Sequence, residues 1–310
     1  MSGVDVRQIK DRFAGGVMAA LSLLVVALAV LMVVALAMRS RPLLDVQPPG
    51  KLLASSEWHP LQGEFGFLTF IAGTVWVTLL AMALAVPPCL LCAIYLAEYA
   101  PRRLREIVKP VVDLLAGIPS VVYGLWGILM VVPFVRDVLA PLADRHLRAI
   151  PLLRADNLTG YGILASGVVL AVMVFPVIIS VTQEVIRAVP NGMREAALAL
   201  GATRWQMIKG VVLRRALPGI IAAIVLGFSR AFGETMAVMM VIGNVPQVPH
   251  SLFDAAYSLP ALIANNYGEM MSIPLYDSAL MAAALVLLLV VLAFTIAARI
   301  VLLQATRRAS

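Results

Sequence analysis

The sequence is poor in charge and in metal-binding side chains. Only 13% of its 310 residues are charged, against 62% hydrophobic ones, and the mean hydropathy is +0.96. A soluble domain carries about 25% charged residues, so this composition excludes an ordinary soluble protein. The 3 histidines (His59, His146, His250) lie far apart, and the 2 cysteines, Cys89 and Cys92, lie within an apolar run. We therefore expect small packing residues here rather than a metal or redox site.

Motifs of enzymatic chemistry are missing as well. The sequence contains no G-x-x-x-x-G-K-[ST] phosphate-binding loop, no H-E-x-x-H and no G-x-S-x-G. The nearest approach to the first, Gly50-Lys51, is followed by leucine. We expect a chain that is not an enzyme, with no catalytic residue, no metal site and no cofactor of its own.

Long apolar runs are what the sequence does have. Six of them reach the roughly 20 residues that a bilayer crossing needs, and they are continuous rather than alternating, which indicates helices instead of barrel strands. The sequence thus predicts an all-α integral membrane protein with six transmembrane helices, at about Val17–Met38, Phe67–Leu96, Pro110–Phe134, Gly160–Thr182, Ala216–Gly243 and Ser278–Leu303.

Lysine and arginine in the loops predict the orientation, because they are enriched on the cytoplasmic side. The loops and termini of one side hold 15 of them, and those of the other side hold 7. The richer side comprises residues 1–16, 97–109, 183–215 and those after Leu303. We expect both termini in the cytoplasm. The net charge of +7 follows from the same bias and requires no nucleic-acid partner.

The first predicted span is set apart from the others by an external stretch rich in proline and glycine. We divide the chain into residues 1–66, with the first transmembrane helix and this linker, a core of five helices at 67–303, and a cytoplasmic tail at 304–310. The core contains a basic cytoplasmic loop at 190–215.

Prolines predict interruptions in three of the spans. Pro87-Pro88 fall in the second, Pro119 follows Gly117 in the third, and Pro176 falls in the fourth. Broken helices free backbone groups, which a bilayer tolerates only where protein or a water-filled path satisfies them. The breaks are consistent with a translocation path, and equally with ordinary kinks and close-packing sites.

The loop at 190–215 has the pattern of a short helix, a bend at Gly201 and a second helix. Such a pair presents its apolar face to a groove on another protein, or lies on the inner leaflet as a surface helix. The predicted apolar face comprises Ala196, Ala197, Leu200, Trp205 and Ile208.

Arg230 and Glu234 fall within the predicted fifth span. An arginine at the centre of a span costs about 2.5–3.5 kcal/mol, so it usually faces a cavity or a partner. A spacing of four places both residues on one helical face. They form either an ion pair that fixes helix packing or a polar pair that serves a solute. Thr235 and Ser229 are weaker candidates, equally suited to hydrogen bonds between helices.

Four stretches carry a resemblance to a known family. Glu195-Ala196-Ala197 with Gly201 resembles the EAA loop of ABC-importer permeases. Three others are similar to phosphate importer permeases. Together with these, the Ala264–Tyr267 stretch favours the PstC type over the PstA type. The three are Ala93–Tyr99 (AIYLAEY), Ala116–Gly124 (AGIPSVVYG) and Arg230–Val238 (RAFGETMAV). The similarity extends from about Phe67 to Leu303.

The resemblance implies a type I importer permease in a bacterial inner membrane, working by alternating access as part of an ATP-driven importer of inorganic phosphate. Its implied partners are a second permease chain of the PstA type, an ATP-binding dimer of the PstB type that holds ATP and Mg, and an external phosphate-binding protein of the PstS type. Implied ATPase contacts are Glu195, Ala196, Ala197, Gly201 and Trp205. Implied pathway residues are Arg230, Glu234, Thr235 and Ser229.

Two other functions remain open at this point. A permease of the same superfamily carries another oxyanion, such as sulfate or molybdate, and a membrane scaffold or sensor recruits a partner without moving solute. The sequence also departs from the family in one place. The EAA pattern usually closes with Leu-Pro, but Leu213 is followed here by two arginines and the pair appears at Leu217-Pro218. We expect the helix break to have moved by about one turn.

Overall fold

The computed structural model describes residues 3–269 and 273–309, and within them the chain is almost wholly helical. A single two-stranded antiparallel sheet in this part of the chain pairs β1 (Trp58–His59) with β2 (Glu64–Phe65). The α-helices are α1 Gly3–Val46, α2 Pro49–Ala54, α3 Leu68–Ile94, α4 Arg102–Gly117, α5 Ser120–Trp126, α6 Val132–Phe134, α7 Ala140–His146, α8 Ile163–Arg187, α9 Asn191–Ala199, α10 Arg204–Met207, α11 Leu213–Phe232, α12 Met236–Val241, α13 Leu259–Asn266 and α14 Tyr276–Ala309.

Wider, π-helical turns follow or connect several of these helices. They are Tyr95–Tyr99 after α3, Gly127–Val131 and Val135–Leu139 on either side of α6, and Ile208–Val212 between α10 and α11. Two 3₁₀ turns, Pro60–Gln62 and Pro151–Leu153, lie in loops. Because π-helical turns occur often at functional sites, the turns Tyr95–Tyr99 and Ile208–Val212 are relevant to the site described below.

The six predicted spans are confirmed in number and order, and the protein is a multi-pass membrane protein. Within the described residues, six helical stretches are long and apolar enough to cross a bilayer. These are Lys10–Val46, Leu68–Tyr99, Ser120–His146, Ile163–Arg187, Arg204–Phe232 and Tyr276–Ile300. Of the predicted tail, Ser310 lies outside the described residues, and α14 continues through Ala309.

The third span begins ten residues later than the sequence indicated. Residues from Arg102 to Gly117 form a separate helix, α4, and the span starts at Ser120. Between the two helices Ile118 is extended (φ −68°, ψ 129°). The physical reason is Pro119, whose ring disfavours the helical conformation of the residue before it. The predicted break at this proline is therefore confirmed.

The other predicted proline breaks are wrong. Pro87-Pro88 lie inside the continuous helix α3, and Pro176 lies inside α8. Pro218 likewise lies inside α11, so the expected shifted break after the EAA pattern does not occur. These helices persist because they are packed along one another, and packing contributes more to helix stability in proteins than local propensity does.

The core is built around α3 and α8, which make the most extensive helix contact of the chain. Val169, Leu170 and Val174 of α8 are fully buried there. By contrast, α1 contacts chiefly α14 and keeps a face of exposed leucines and valines. The external linker folds against the core through Trp58, whose ring lies 4.9 Å from that of Phe70.

Candidate functional site

The first part of the site is the cytoplasmic segment 191–207, which we call the coupling segment. It consists of α9, a bend and α10, as the sequence predicted. Gly201 has φ +83°, a conformation that glycine adopts without steric cost. Thr203 then caps α10, because its side chain accepts a hydrogen bond from the amide of Gln206 while the Gln206 side chain accepts one from the amide of Thr203.

The coupling segment exposes a set of large apolar side chains. The exposed fraction is 90% for Leu200 and 50% for Trp205, with Leu198 and Met193 at 46% and 39%. Glu195 and Ala196 are exposed beside them. Exposed apolar side chains at this density, rimmed by polar residues, are typical of a surface that binds another protein.

Two of the residues expected on that face point inward instead. Ile208 is fully buried, and Ala197 is partly buried against the same apolar cluster, in which Met207 and Ile186 also pack. Ile208 falls in the π-helical turn after α10. The wider turn changes the angular position of the residues that follow, so the simple 3.6-residue spacing gives the wrong face for Ile208.

Arg194 fastens the coupling segment to the core. Its Nη2 donates to Oε1 of Glu98 at 2.8 Å and to the carbonyl oxygen of Ile186 at 2.8 Å, and its Nη1 donates to the carbonyl oxygen of Val189. The two charged side chains are only 14% and 7% exposed. Breaking a buried pair of this kind by removing one partner is strongly destabilising, since it leaves an uncompensated buried charge.

A second arginine reaches the same place from the other side of the bend. Arg204, on α10, donates from Nη2 to the carbonyl oxygen of Glu98. Its guanidinium carbon also lies 4.6 Å from the centroid of the Tyr99 ring, within the range of a cation–π interaction. Both halves of the coupling segment are therefore bonded to the π-helical turn that ends the second span.

The second part of the site is a break in the chain beside the spanning helix α8, where the fifth apolar stretch ends. Helix α11 ends at Phe232, and α12 begins at Met236. The contacts of neighbouring residues with α8 give the depth: Gly219 lies against Val185 and Gly227 against Ile178. Val241, just beyond the break, accepts a hydrogen bond from the amide of Gly162 at the opposite end of α8. The break lies between these levels.

Arg230 and Glu234 do not lie on one helical face, so that expectation is wrong. The helix stops between them at Gly233, and Oε1 of Glu234 accepts a hydrogen bond from the amide of Ala237 at 3.1 Å. Within the described chain, no ion pair or hydrogen bond joins the Arg230 guanidinium to another residue. Arg230 is exposed and acts electrostatically on Tyr123 of α5.

The two weaker candidates lie on different sides of the break. Thr235 is the cap residue of α12, and its hydroxyl donates to the carbonyl oxygen of Gly233 at 3.3 Å. Ser229 lines a cleft of about 290 Å³ between α11 and α14, together with Phe228 and Phe294. Thr235 therefore lies just beyond the break that follows Arg230, and Ser229 faces the cleft with α14.

The neighbourhood of Arg230 includes a second chain break that the sequence indicated only in part. Helix α5 follows the extended Ile118-Pro119 step and packs against α12, where the sulfur of Met240 lies against Gly124. Tyr123 is 6% exposed, and its hydroxyl donates to the carbonyl oxygen of Leu115 at 2.8 Å. Two interrupted helices therefore meet beside Arg230.

Sequence reasoning missed Tyr123 and Arg194 as site residues. Tyr123 falls within the Ala116–Gly124 stretch that carries the family resemblance, and Arg194 directly precedes Glu195 of the EAA pattern. Glu98 lies within the Ala93–Tyr99 stretch that carries the family resemblance. No local pattern links it to Arg194, because 96 residues separate them along the chain.

A known structure has the same arrangement of helices. A crystal structure of a bacterial ABC transporter involved in the import of the acidic polysaccharide alginate superposes with a TM-score of 0.57, covering 98% of each chain at 18% identity. At that identity the likeness concerns the fold alone. The fold is that of an ABC-importer permease.

The family follows from the sequence match. Residues 89–307 match the model of the family described as binding-protein-dependent transport system inner membrane component. The chain belongs to this family, whose permeases act with ATPase and substrate-binding partners.

Curated relatives sharpen the match. The chain is 41% identical over 257 residues to "Phosphate transport system permease protein PstC" of Xylella fastidiosa (strain 9a5c), covering 82% of this chain and 79% of that protein. It is 38% identical over 259 residues to the protein of the same name from Mesorhizobium japonicum, covering 83% and 79%. The resemblance to the PstC type is confirmed.

Proposed function

We propose that this chain is the transmembrane permease subunit of an ATP-driven importer of inorganic phosphate. The observation that carries the anion-binding part is Arg230, a permanent cation beside a helix break at the end of the fifth apolar stretch, with no acidic or hydrogen-bonding partner within the described residues. The phosphate transport named for the PstC relatives supports phosphate as that anion.

The chemistry of guanidinium suits this cargo. Hydrogen phosphate is an anion that loses hydration when it enters the membrane, and arginine replaces that hydration with planar, bidentate hydrogen bonds that remain charged at every physiological pH. Thr235 offers a hydroxyl at the same break. Glu234, just beyond it, contributes a negative charge that limits how tightly the anion is held, so the site permits release.

The exposed face of the coupling segment is the proposed ATPase surface. Leu200 and Trp205 would insert into a groove of a PstB-type subunit, beside Glu195 and Ala196, with the Gly201 bend between the two short helices. ATP and Mg belong to that partner dimer. A PstA-type permease would complete the pathway, and a PstS-type protein would deliver phosphate from outside. With the coupling segment facing a cytoplasmic ATPase, both termini would lie on the cytoplasmic side of a bacterial inner membrane.

The test is uptake of labelled phosphate into vesicles that contain the assembled complex and enclosed ATP. The native chain, Arg230→Ala and Arg299→Ala are compared, the last removing the same charge from an exposed position on α14. We expect uptake that unlabelled phosphate competes away and sulfate does not. Arg230→Ala should abolish it while the subunits still copurify, and Arg299→Ala should retain it.

Each of the other outcomes would contradict one part of the proposed function. Competition by sulfate or molybdate would replace phosphate with another oxyanion as the cargo. A well-assembled native complex without uptake of any of these anions would favour a scaffold or sensor. Full uptake by Arg230→Ala would reduce this residue to a packing role.

A further inference from the structure

We propose that Glu98 is a positioning residue that makes the second span move with the coupling segment. The inference rests on the proposed function, since it takes the coupling segment as the surface on which an ATPase acts. Glu98 would contact neither the anion nor ATP. Its task is to carry a displacement of α9 and α10 into α3, the helix at the centre of the core.

Chain connectivity explains why such a residue is needed. The coupling segment follows α8 and precedes α11, so the backbone itself passes any displacement to the fourth and fifth spans. Helix α3 has no such connection, because its cytoplasmic end leads into α4. Only non-covalent contacts join α3 to the coupling segment, and Glu98 lies in the π-helical turn at that end.

Two arginines from opposite sides of the Gly201 bend meet at Glu98. Arg194 binds its carboxylate with Nη2 at 2.8 Å and Nε at 3.2 Å, and Arg204 binds its backbone carbonyl oxygen. Hydrogen bonds between charged groups are about twice as strong as neutral ones. A single residue at the end of the second span thus holds both helices of the coupling segment at once.

Burial separates this pair from other ion pairs on the same side of the protein. Arg102 and Glu106 also meet at 2.8 Å, but their side chains are 90% and 61% exposed. Those of Arg194 and Glu98 are 14% and 7% exposed. Salt and water screen an exposed pair strongly and a buried one much less, so only the buried pair keeps two elements at a fixed separation.

The apolar surroundings of Glu98 support the same assignment. Ala97 and Ile94 of the second span pack against a cluster that includes Ile186 at the end of α8 and Met207 at the end of α10. The ion pair lies at the edge of this cluster. Apolar contacts alone permit sliding, whereas the directional hydrogen bonds of Arg194 define one position of α9 relative to α3.

The experiment compares phosphate uptake with ATP hydrolysis in the same vesicles. Glu98→Gln keeps the shape of the side chain and removes its charge, and Glu106→Gln makes the same change in the exposed pair. Since coupling between sites typically changes a measured constant about 5- to 150-fold, we expect Glu98→Gln to lower phosphate transported per ATP hydrolysed by about tenfold. Glu106→Gln should leave that ratio unchanged.

A charge-reversal pair tests the contact itself. Glu98→Arg and Arg194→Glu should each lower the transport ratio, and the double variant should recover part of it. If Glu98→Gln assembles and transports at the native ratio, the proposal is overturned. A native complex that hydrolyses ATP but takes up no phosphate would instead contradict the proposed function, so the two failures are distinguishable.

A second measurement covers variants that fail to assemble. Spin labels at Ala199 on α9 and Leu91 on α3 occupy exposed positions, after Cys89 and Cys92 are exchanged for alanine. With Glu98 and Arg194 paired as in the native chain, we expect the distance between the labels to stay constant when ATP is added to the complex. A distance that changes with ATP would show that α3 and the coupling segment move separately, and would overturn the inference without any variant of Glu98.

Discussion

Two arginines of this chain lie in opposite surroundings. Arg194, at the cytoplasmic end, is 14% exposed and donates to a carboxylate and to two backbone carbonyl oxygens. Arg230, beside the break between α11 and α12, is exposed and has no such acceptor within the described residues. The protein supplies acceptors for the guanidinium of Arg194, and within the described residues it supplies none for that of Arg230.

The difference indicates what each region does. A guanidinium whose donors are satisfied by the fold holds two parts of the chain in a fixed relation, which suits the transmission of a displacement. A guanidinium without protein acceptors retains its capacity for a mobile anion. The charge of Arg230 is costly within a span, and the interrupted backbone beside it is tolerated where it lines a path.

The largest expected effect is on stability and comes from Arg194. Arg194→Ala leaves the Glu98 carboxylate buried without its partner, which we expect to lower the free energy of unfolding by about 3–5 kcal/mol. Arg230→Ala removes no protein contact and should change it by less than about 0.5 kcal/mol. Denaturant unfolding of the purified chain in detergent measures both. Equal losses would contradict the contrast between the two arginines.

The next effect is on transport and comes from Arg230. Arg230→Lys keeps the charge but loses the planar fork, and one charged hydrogen bond contributes about 1.5–3 kcal/mol. We therefore expect the rate of phosphate uptake to fall by at least about tenfold with unfolding unchanged. Uptake at the native rate would show that charge alone suffices at this position.

A smaller effect tests the bend between the two helices of the coupling segment. Gly201 has φ +83° with open space around it, so Gly201→Ala meets no clash and only the backbone cost, about 1–2 kcal/mol. Gly210 also has open space but no positive φ, which makes Gly210→Ala the matched control. The midpoint of thermal unfolding should fall further for Gly201→Ala than for Gly210→Ala. Equal midpoints would contradict the structural role of the bend.

The smallest effect is expected at the exposed ion pair of α4. Glu106→Gln removes the partner of Arg102, but pairs at this spacing on an exposed helix contribute only about 0.3–0.5 kcal/mol. The unfolding midpoint should be nearly unchanged, and its small difference from that of the native chain should shrink as salt is added. A loss comparable with that of Arg194→Ala would mean that burial does not distinguish the two pairs.

The sequence by itself determined the features that depend on local pattern. Run length and hydrophobicity gave six membrane helices and an all-α fold, because a bilayer permits few other solutions. The motif order placed the chain in its family, and the glycine in the loop at 190–215 correctly predicted a bend between two short helices. Pro119 ended a helix as expected, since its effect on the preceding residue is local.

Only the tertiary structure decided the features that depend on contacts between distant residues. Pro87, Pro176 and Pro218 look like breaks in sequence, yet packing holds their helices together. The pairing of Glu98 with Arg194 joins residues 96 positions apart, and no periodicity can reveal it. The separation of Arg230 from Glu234 follows from the end of α11 at Phe232, which is set where α11 and α12 pack against α8 and α5.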